Sequence, residues 1–143
     1  MNKVFIDSGV IIEFLTDLTP QTDFVTAILT LAEEKRIKVY VSPFIYIELY
    51  NRYKFTEGHK RILEKLRKLE LITKSLRVNN KIIKQALNAD FVSFDTSLNY
   101  YIVRGNKKID AIVTDNVDNY SHSKVAIFTP ETYLTTLRNI KNE

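Results

Sequence analysis

Four acidic residues carry the clearest chemistry in this chain of 143 residues: Asp7, Glu48, Asp95 and Asp115. Asp7 ends the apolar run Lys3 to Ile6, and Asp115 ends another from Ala111 to Thr114. Glu48 follows a third run, Ile37 to Val41, while Asp95 opens an amphipathic stretch in which Leu98, Ile102 and Val103 are apolar. If the runs are strands of one sheet, all four carboxylates can converge at one of its edges. Carboxylates gathered in one place repel and raise one another's pKa, a cost that a cation removes. Oxygen ligands select hard divalent ions such as Mg2+ or Mn2+. Such an ion lowers the pKa of an attacking water and stabilises the charge of a phosphodiester transition state.

Each residue also has a plainer reading. An Asp after a strand is often only a turn residue, which covers Asp7 and Asp115. Asp95 could be a charge favoured by a helix N-terminus, and Asp90 competes with it; Asn99, one turn on and on the same face, favours Asp95. Around Glu48 the apolar Ile45, Ile47 and Leu49 predict a well-buried helix, where a carboxylate needs a reason. The alternative is an exposed stripe shared with Asn51 and Arg52. No phosphate-binding glycine loop is present, and neither His59 nor His122 stands in a metal-ligand spacing.

Periodicity and punctuation supply the elements that must position these groups. Lys3 to Ile6, Ile37 to Val41, Ala111 to Thr114 and Lys124 to Phe128 read as strands, with a short fifth between Leu71 and Val78. Gly9 to Leu15 reads as a short helix or turn, and helices are expected from Thr22-Asp23 to a basic end at Lys35-Arg36, from Ser42-Pro43 through Glu48, over His59 to Leu69, over Asn80 to Leu87, from Phe94 to a stop at Gly105, and from Pro130 onward. Strands alternating with helices predict an α/β fold, a three-layer α/β/α sandwich around a central parallel sheet. Ligands of such sheets bind beyond the carboxyl ends of the strands, where the strand order reverses. The length fits one domain over residues 1–143.

The chain has no cysteine, which excludes disulfides, thiolate metal sites and thiol nucleophiles. No apolar stretch is long enough for a signal peptide or a membrane span, so a cytoplasmic location is expected. The net charge of +4 is unevenly spread. From Asn51 to Lys84 eleven Lys or Arg face three Glu, a net of +8, which leaves −4 for the rest of the chain. Either a polyanion-binding face or a pair of solvated lysine-rich helices follows. Tyr46, Tyr50, Tyr53 and Phe55 near this region could stack on unpaired bases or belong to the core.

Four segments, VFIDSGVIIEFL, SPFIYIEL, SFDTSLNYYIVRG and DAIVTDN with VAIFTPETYL, resemble in that order the acidic motifs and closing segment of the PIN-domain family. Size and layout are similar to its VapC-type toxins, over Val4 to Leu134. The resemblance implies a parallel sheet, Mg2+ or Mn2+, and endonucleolytic cleavage of RNA by an activated water. Asp7, Glu48 and Asp95 carry over by motif position as catalytic and metal-ligating residues. Asp115 is the nearest carboxylate for the fourth place, but the family usually has its acid or Asn two positions after the Thr, here Asn116. Asp118 is the remaining choice, with Asn119 standing where a later acid is usual. Ser8, Asn99, Thr114 and Asn116 are then candidates for orienting water or ligand, and Gly9 replaces the family's frequent Asn or Ser without removing a ligand. A small antitoxin entering the acidic site with an arginine or similar group, and a homodimer, are further implications. The irregular last motif keeps open a PIN-like RNA-binding or protein-interaction module without catalysis. A phosphatase with Asp7 as nucleophile ranks last, since Gly9 stands where its second acid belongs.

Overall fold

The computed structural model describes residues 1–16, 22–106 and 108–141, with the side chains of 13–16, 22 and 141 left aside. Five strands, β1 (Lys3–Ile6), β2 (Lys38–Val41), β3 (Thr73–Ser75), β4 (Ala111–Val113) and β5 (Ala126–Phe128), pair in parallel in the order β3-β2-β1-β4-β5. Val4 lies beside Val39 on one side and Ala111 on the other, which places β1 at the centre.

Side chains along a strand alternate between faces, and here both faces are apolar. Val4, Ile6, Val39, Val41, Ala111 and Val113 pack under α1 (Ser8–Thr16), α2 (Thr22–Glu33), α3 (Ile45–Glu57), α4 (His59–Ile72) and α7 (Pro130–Lys141). Phe5, Tyr40, Ile112 and Ile127 point the other way, under α5 (Asn80–Leu87), α6 (Phe94–Gly105) and a 3-10 turn over Val117–Tyr120. This is the expected three-layer α/β/α arrangement. The chain steps outward from β1 to β3 with its helices on one face, then returns to β4 through α5 and α6 on the other. The strand order therefore reverses between β1 and β4, and Asp7 follows the end of β1 at that point.

Several boundaries differ from the sequence expectation for local reasons. Ser42-Pro43 forms a turn ahead of α3, since the Phe44 N–H donates to Ser42 Oγ at 3.2 Å and the Ile45 N–H to Ser42 O at 3.1 Å. The N-cap is Phe44, without a side-chain cap, so Glu48 falls in the first turn of α3 rather than about two turns into a helix starting at the expected Ser42-Pro43. The helix is also less buried than expected, because only Ile45 and Leu49 are covered and Ile47 is exposed. At the end of α2, Lys35 takes a left-handed conformation with φ 61°. The Arg36 N–H then reaches Leu31 O at 2.9 Å and the Lys35 N–H reaches Ala32 O at 3.0 Å, a Schellman termination that usually employs Gly. Gly58, with φ 83° and ψ 155°, joins α3 to α4 in a region that only glycine occupies readily. Gly105 is the last residue of α6 and serves packing: a Cβ there would lie 2.9 Å from Ile82 Cδ1 on α5. No described helix is long and apolar enough to cross a membrane.

Candidate functional site

A pocket of about 420 Å3 opens at the carboxyl end of the sheet where the strand order reverses. Asp7, Glu48 and Asp95 all line it, with Ser8, Asn99, Asn116 and Asn119. The starts of α1, α3 and α6 meet there, through Ser8, Phe44 and Ser93 respectively. Glu48 and Asp95 each occupy a first turn, where the helix macrodipole favours negative charge and offsets part of their mutual repulsion. Ser93 caps α6, accepting from the Thr96 N–H at 3.3 Å, and so fixes the direction in which Asp95 leaves the helix.

Asp7 is held from both sides. Thr114 Oγ1 donates to its Oδ2 at 3.1 Å and the Tyr120 hydroxyl to the same oxygen at 3.3 Å. Ser8 Oγ, the Gly9 N–H and Asn99 Nδ2 approach Oδ1 at 3.5 Å each. Burial raises the Asp7 pKa above the usual carboxylate value; the Thr114, Gly9 and Tyr120 donors oppose this, and the charge of Asp95 adds to it. Glu48 is also raised, first by loss of solvent, against a hydrogen bond from Ser8 and with the charges of Asp7 and Asp95. The Tyr120 phenol is pushed far up by burial and then by the Asp7 charge, so it remains a neutral donor at any physiological pH.

Tyr120 was not among the sequence candidates. Its ring belongs to the core beside Tyr100 and Ile112, and its hydroxyl, which also accepts from Asn99 Nδ2 at 3.4 Å, reaches Asp7 across 113 positions of chain. Thr114 joins the site through Asp7 and accepts the Asn116 N–H at 3.1 Å. Asp115 is absent from the lining, and both of its carboxylate oxygens are buried without a hydrogen-bond partner among the described residues. Asp118 is exposed and also outside the pocket, and Asp90 lines a separate depression with His122 and Arg104. The fourth place in the lining is thus taken by the amides Asn116 and Asn119.

Three carboxylates, three carboxamides, several hydroxyls and no Lys, Arg or His make up the polar lining. Oxygen donors without a positive side chain suit a hard divalent cation. The side chains are not drawn into a closed chelate, since among the described residues no three His, Cys, Asp or Glu are grouped closely enough to hold one ion. A larger cavity of about 790 Å3 between α2, α7 and the chain start is mainly apolar and brings no carboxylates together.

The family model for the PIN domain matches residues 3–118, most of the chain and all three acids of the pocket. The protein is a member of the PIN-domain family. The PIN fold is also seen in a solved structure, the VapC20 toxin of Mycobacterium tuberculosis, described as cleaving the Sarcin-Ricin loop. The two superpose with a TM-score of 0.61 over 86% of this chain and 96% of that one at 14% identity, a likeness of fold. No curated protein matches this PIN-domain sequence. The matched range ends at Asp118, two residues short of Tyr120.

Proposed function

We propose that this PIN-domain protein is an endoribonuclease that hydrolyses RNA phosphodiester bonds with the help of Mg2+ or Mn2+, and that residues 1–143 form one catalytic unit. One observation carries the reading: Asp7, Glu48 and Asp95 line a single pocket that contains no positive side chain. A phosphate could not enter such a pocket without a cation. Asp7, Glu48 and Asp95 would hold it, with Asn116 or Asn119 completing the oxygen set in the place considered for Asp115. When bound, the ion supplies positive charge against the phosphodiester and lowers the pKa of an attacking water.

The remaining work falls to the chain. Thr114, Tyr120 and Asn99 hold Asp7 in one orientation, so that its oxygens need not reorganise during the reaction. Ser8 stands between Asp7 and Glu48 and can donate to either carboxylate. Away from the pocket, Arg61 and Lys65 are paired with Glu57, while Arg52, Lys54, Lys60, Arg67 and Lys68 on α3 and α4 make no ion pair among the described residues. Those cations are available to RNA phosphates. The likeness to a toxin supports a place in a toxin–antitoxin pair, with a small antitoxin as partner. A homodimer and a cytoplasmic location complete the proposal.

The absence of a closed chelate and the amides at the fourth place favour a second reading, a PIN-domain RNA-binding or protein-interaction module without catalysis. One assay separates the two: mixed single-stranded and structured RNAs, incubated with wild type or Asp7→Asn, with and without Mn2+ or Mg2+. Cation-dependent cutting that disappears in the variant is the expected result. RNA binding by both proteins without cutting under any metal condition gives the lead to the binding module.

A further inference from the structure

We infer that the apolar rim of the acidic pocket, built on Phe44 and Phe94, receives an unpaired nucleobase of the RNA beside the bond to be cut; this rests on the nuclease reading above. Ten large apolar side chains are exposed among the described residues. Two of them, Phe44 at 39% and Phe94 at 48%, line the pocket, and three more, Ile47, Val92 and Val117, adjoin lining residues in sequence. Two exposed aromatic rings thus stand in the lining of one acidic pocket, whereas scattered single apolar residues would need no explanation.

Local structure does not account for the rings. Phe44 occupies the N-cap of α3, where Ser, Thr, Asp or Asn would satisfy an open N–H and Phe satisfies none. A residue that breaks a local rule and leaves a large ring 39% exposed points to a functional position. Phe94 is the first residue of α6, directly beside Asp95. The aromatics of α3 that the sequence offered for stacking, Tyr46, Tyr50 and Tyr53, are half-buried against the core.

A nucleotide matches both parts of this surface. Its flat base finds aromatic faces at the rim, and its phosphate lies toward the oxygen-lined floor where the cation is proposed. An apolar peptide laid over the rim would cover Glu48 and Asp95 and leave their charges unpaired, which is costly. Only a base free of its partner and its stack can be taken up this way, so Phe44 and Phe94 would hold the nucleotide beside the cut by stacking.

The test compares an RNA hairpin bearing an unpaired loop with the same sequence in a full duplex, in the presence of Mn2+. The enzymes are wild type, Phe44→Ala, Phe94→Ala and the conservative Phe44→Tyr and Phe94→Tyr, each checked for an unchanged unfolding midpoint. Cutting confined to the loop is expected, with KM raised about tenfold or more by each Ala, kcat changed less, and Tyr near wild type. In a parallel reading, a fluorescent adenine analogue in the loop is quenched on binding to Asp7→Asn protein, and adding both Ala substitutions removes the quenching. Equal cutting of the duplex, or Ala variants with wild-type KM and full quenching, overturns the base site and leaves the nuclease reading standing. If the Ala variants keep wild-type RNA kinetics but lose binding to a protein partner, the rim belongs to that partner and the inference fails. No cutting of any RNA with either metal defeats the nuclease reading and the inference together.

Discussion

Asp7 and Glu48 share a pocket but are held in opposite ways. Asp7 leaves the central strand and is gripped by Thr114, Asn99 and Tyr120, all of them buried. Glu48 is an exposed residue on the first turn of a helix that buries only Ile45 and Leu49. A strand between two neighbours has little freedom, and a buried polar network that is fully satisfied adds rigidity. A long carboxylate at a helix start can change rotamer at small cost. One wall of the pocket is therefore fixed and the other adjustable, a division suited to seating a cation and its substrate on a rigid reference point.

The widest separation between the walls is expected in catalysis. Asp7→Asn should lower the RNA cleavage rate by at least about 100-fold, since the fixed ligand has no neighbour able to take its place. Glu48→Gln should cost less, about tenfold, because the mobile wall can rearrange around a neutral side chain. Initial rates on one RNA at saturating Mn2+ decide the matter, and equal losses in the two variants would remove the distinction.

Cation binding should show the same asymmetry in stability. An ion that binds only the folded protein adds about 2.7 kcal/mol at a concentration 100 times its Kd. Thermal unfolding of wild type should therefore shift upward with Mn2+ and return with EDTA, with most of the shift absent in Asp7→Asn and part retained in Glu48→Gln. A shift that survives Asp7→Asn intact would place the ion elsewhere.

Without a cation, the hydroxyls around Asp7 can be removed one at a time. Thr114 is fully buried, donates to Asp7 and accepts from the Asn116 N–H, so Thr114→Val should destabilise by about 1–3 kcal/mol. Ser8→Ala, on the side facing Glu48, should stay within about 0.5 kcal/mol because water can replace its hydrogen bonds. Chemical denaturation of the two variants gives both numbers. A Thr114→Val protein as stable as wild type would mean that Asp7 is not held from β4.

The rigid wall was the more legible of the two in the sequence. An apolar run that stops at Asp7 announces a strand end, and the alternation of strands with helices predicted a sheet with a helical layer on each face. For the fourth place the sequence left Asp115, Asn116 and Asp118 open, and the alternation of an extended chain is what separates the first two in space. Thr114 and Asn116 fall on the side of Asp7 and the pocket, which turns Asp115 between them away from it. Tyr120 was illegible for another reason: its ring is core by type and by burial, and only tertiary structure brings its hydroxyl to Asp7. On the mobile wall, Ser42-Pro43 looked like a helix start, yet Ser42 spends its side chain on a turn and passes the N-cap to Phe44. Local propensity could not decide between those two neighbouring solutions.

The smallest expected effect comes from the proton. Burial holds the Asp7 pKa above its reference of 3.8, so between that value and the raised one the folded protein binds more protons than the unfolded chain. Its contribution to stability therefore falls as pH rises through this window and is fully unfavourable above it, the reverse of a carboxylate held by a cation. Asp7→Asn removes the penalty. In EDTA the variant should unfold at a higher temperature than wild type at neutral pH, and the gap should close as the pH falls below 3.8, where Asp7 becomes protonated in both states. Glu48 is raised in the same direction but meets solvent at the pocket mouth, so Glu48→Gln should show a weaker version of the same trend. Saturating Mn2+ should reverse the order at neutral pH, making wild type the more stable protein, because the ion turns the buried charge of Asp7 from a cost into a ligand.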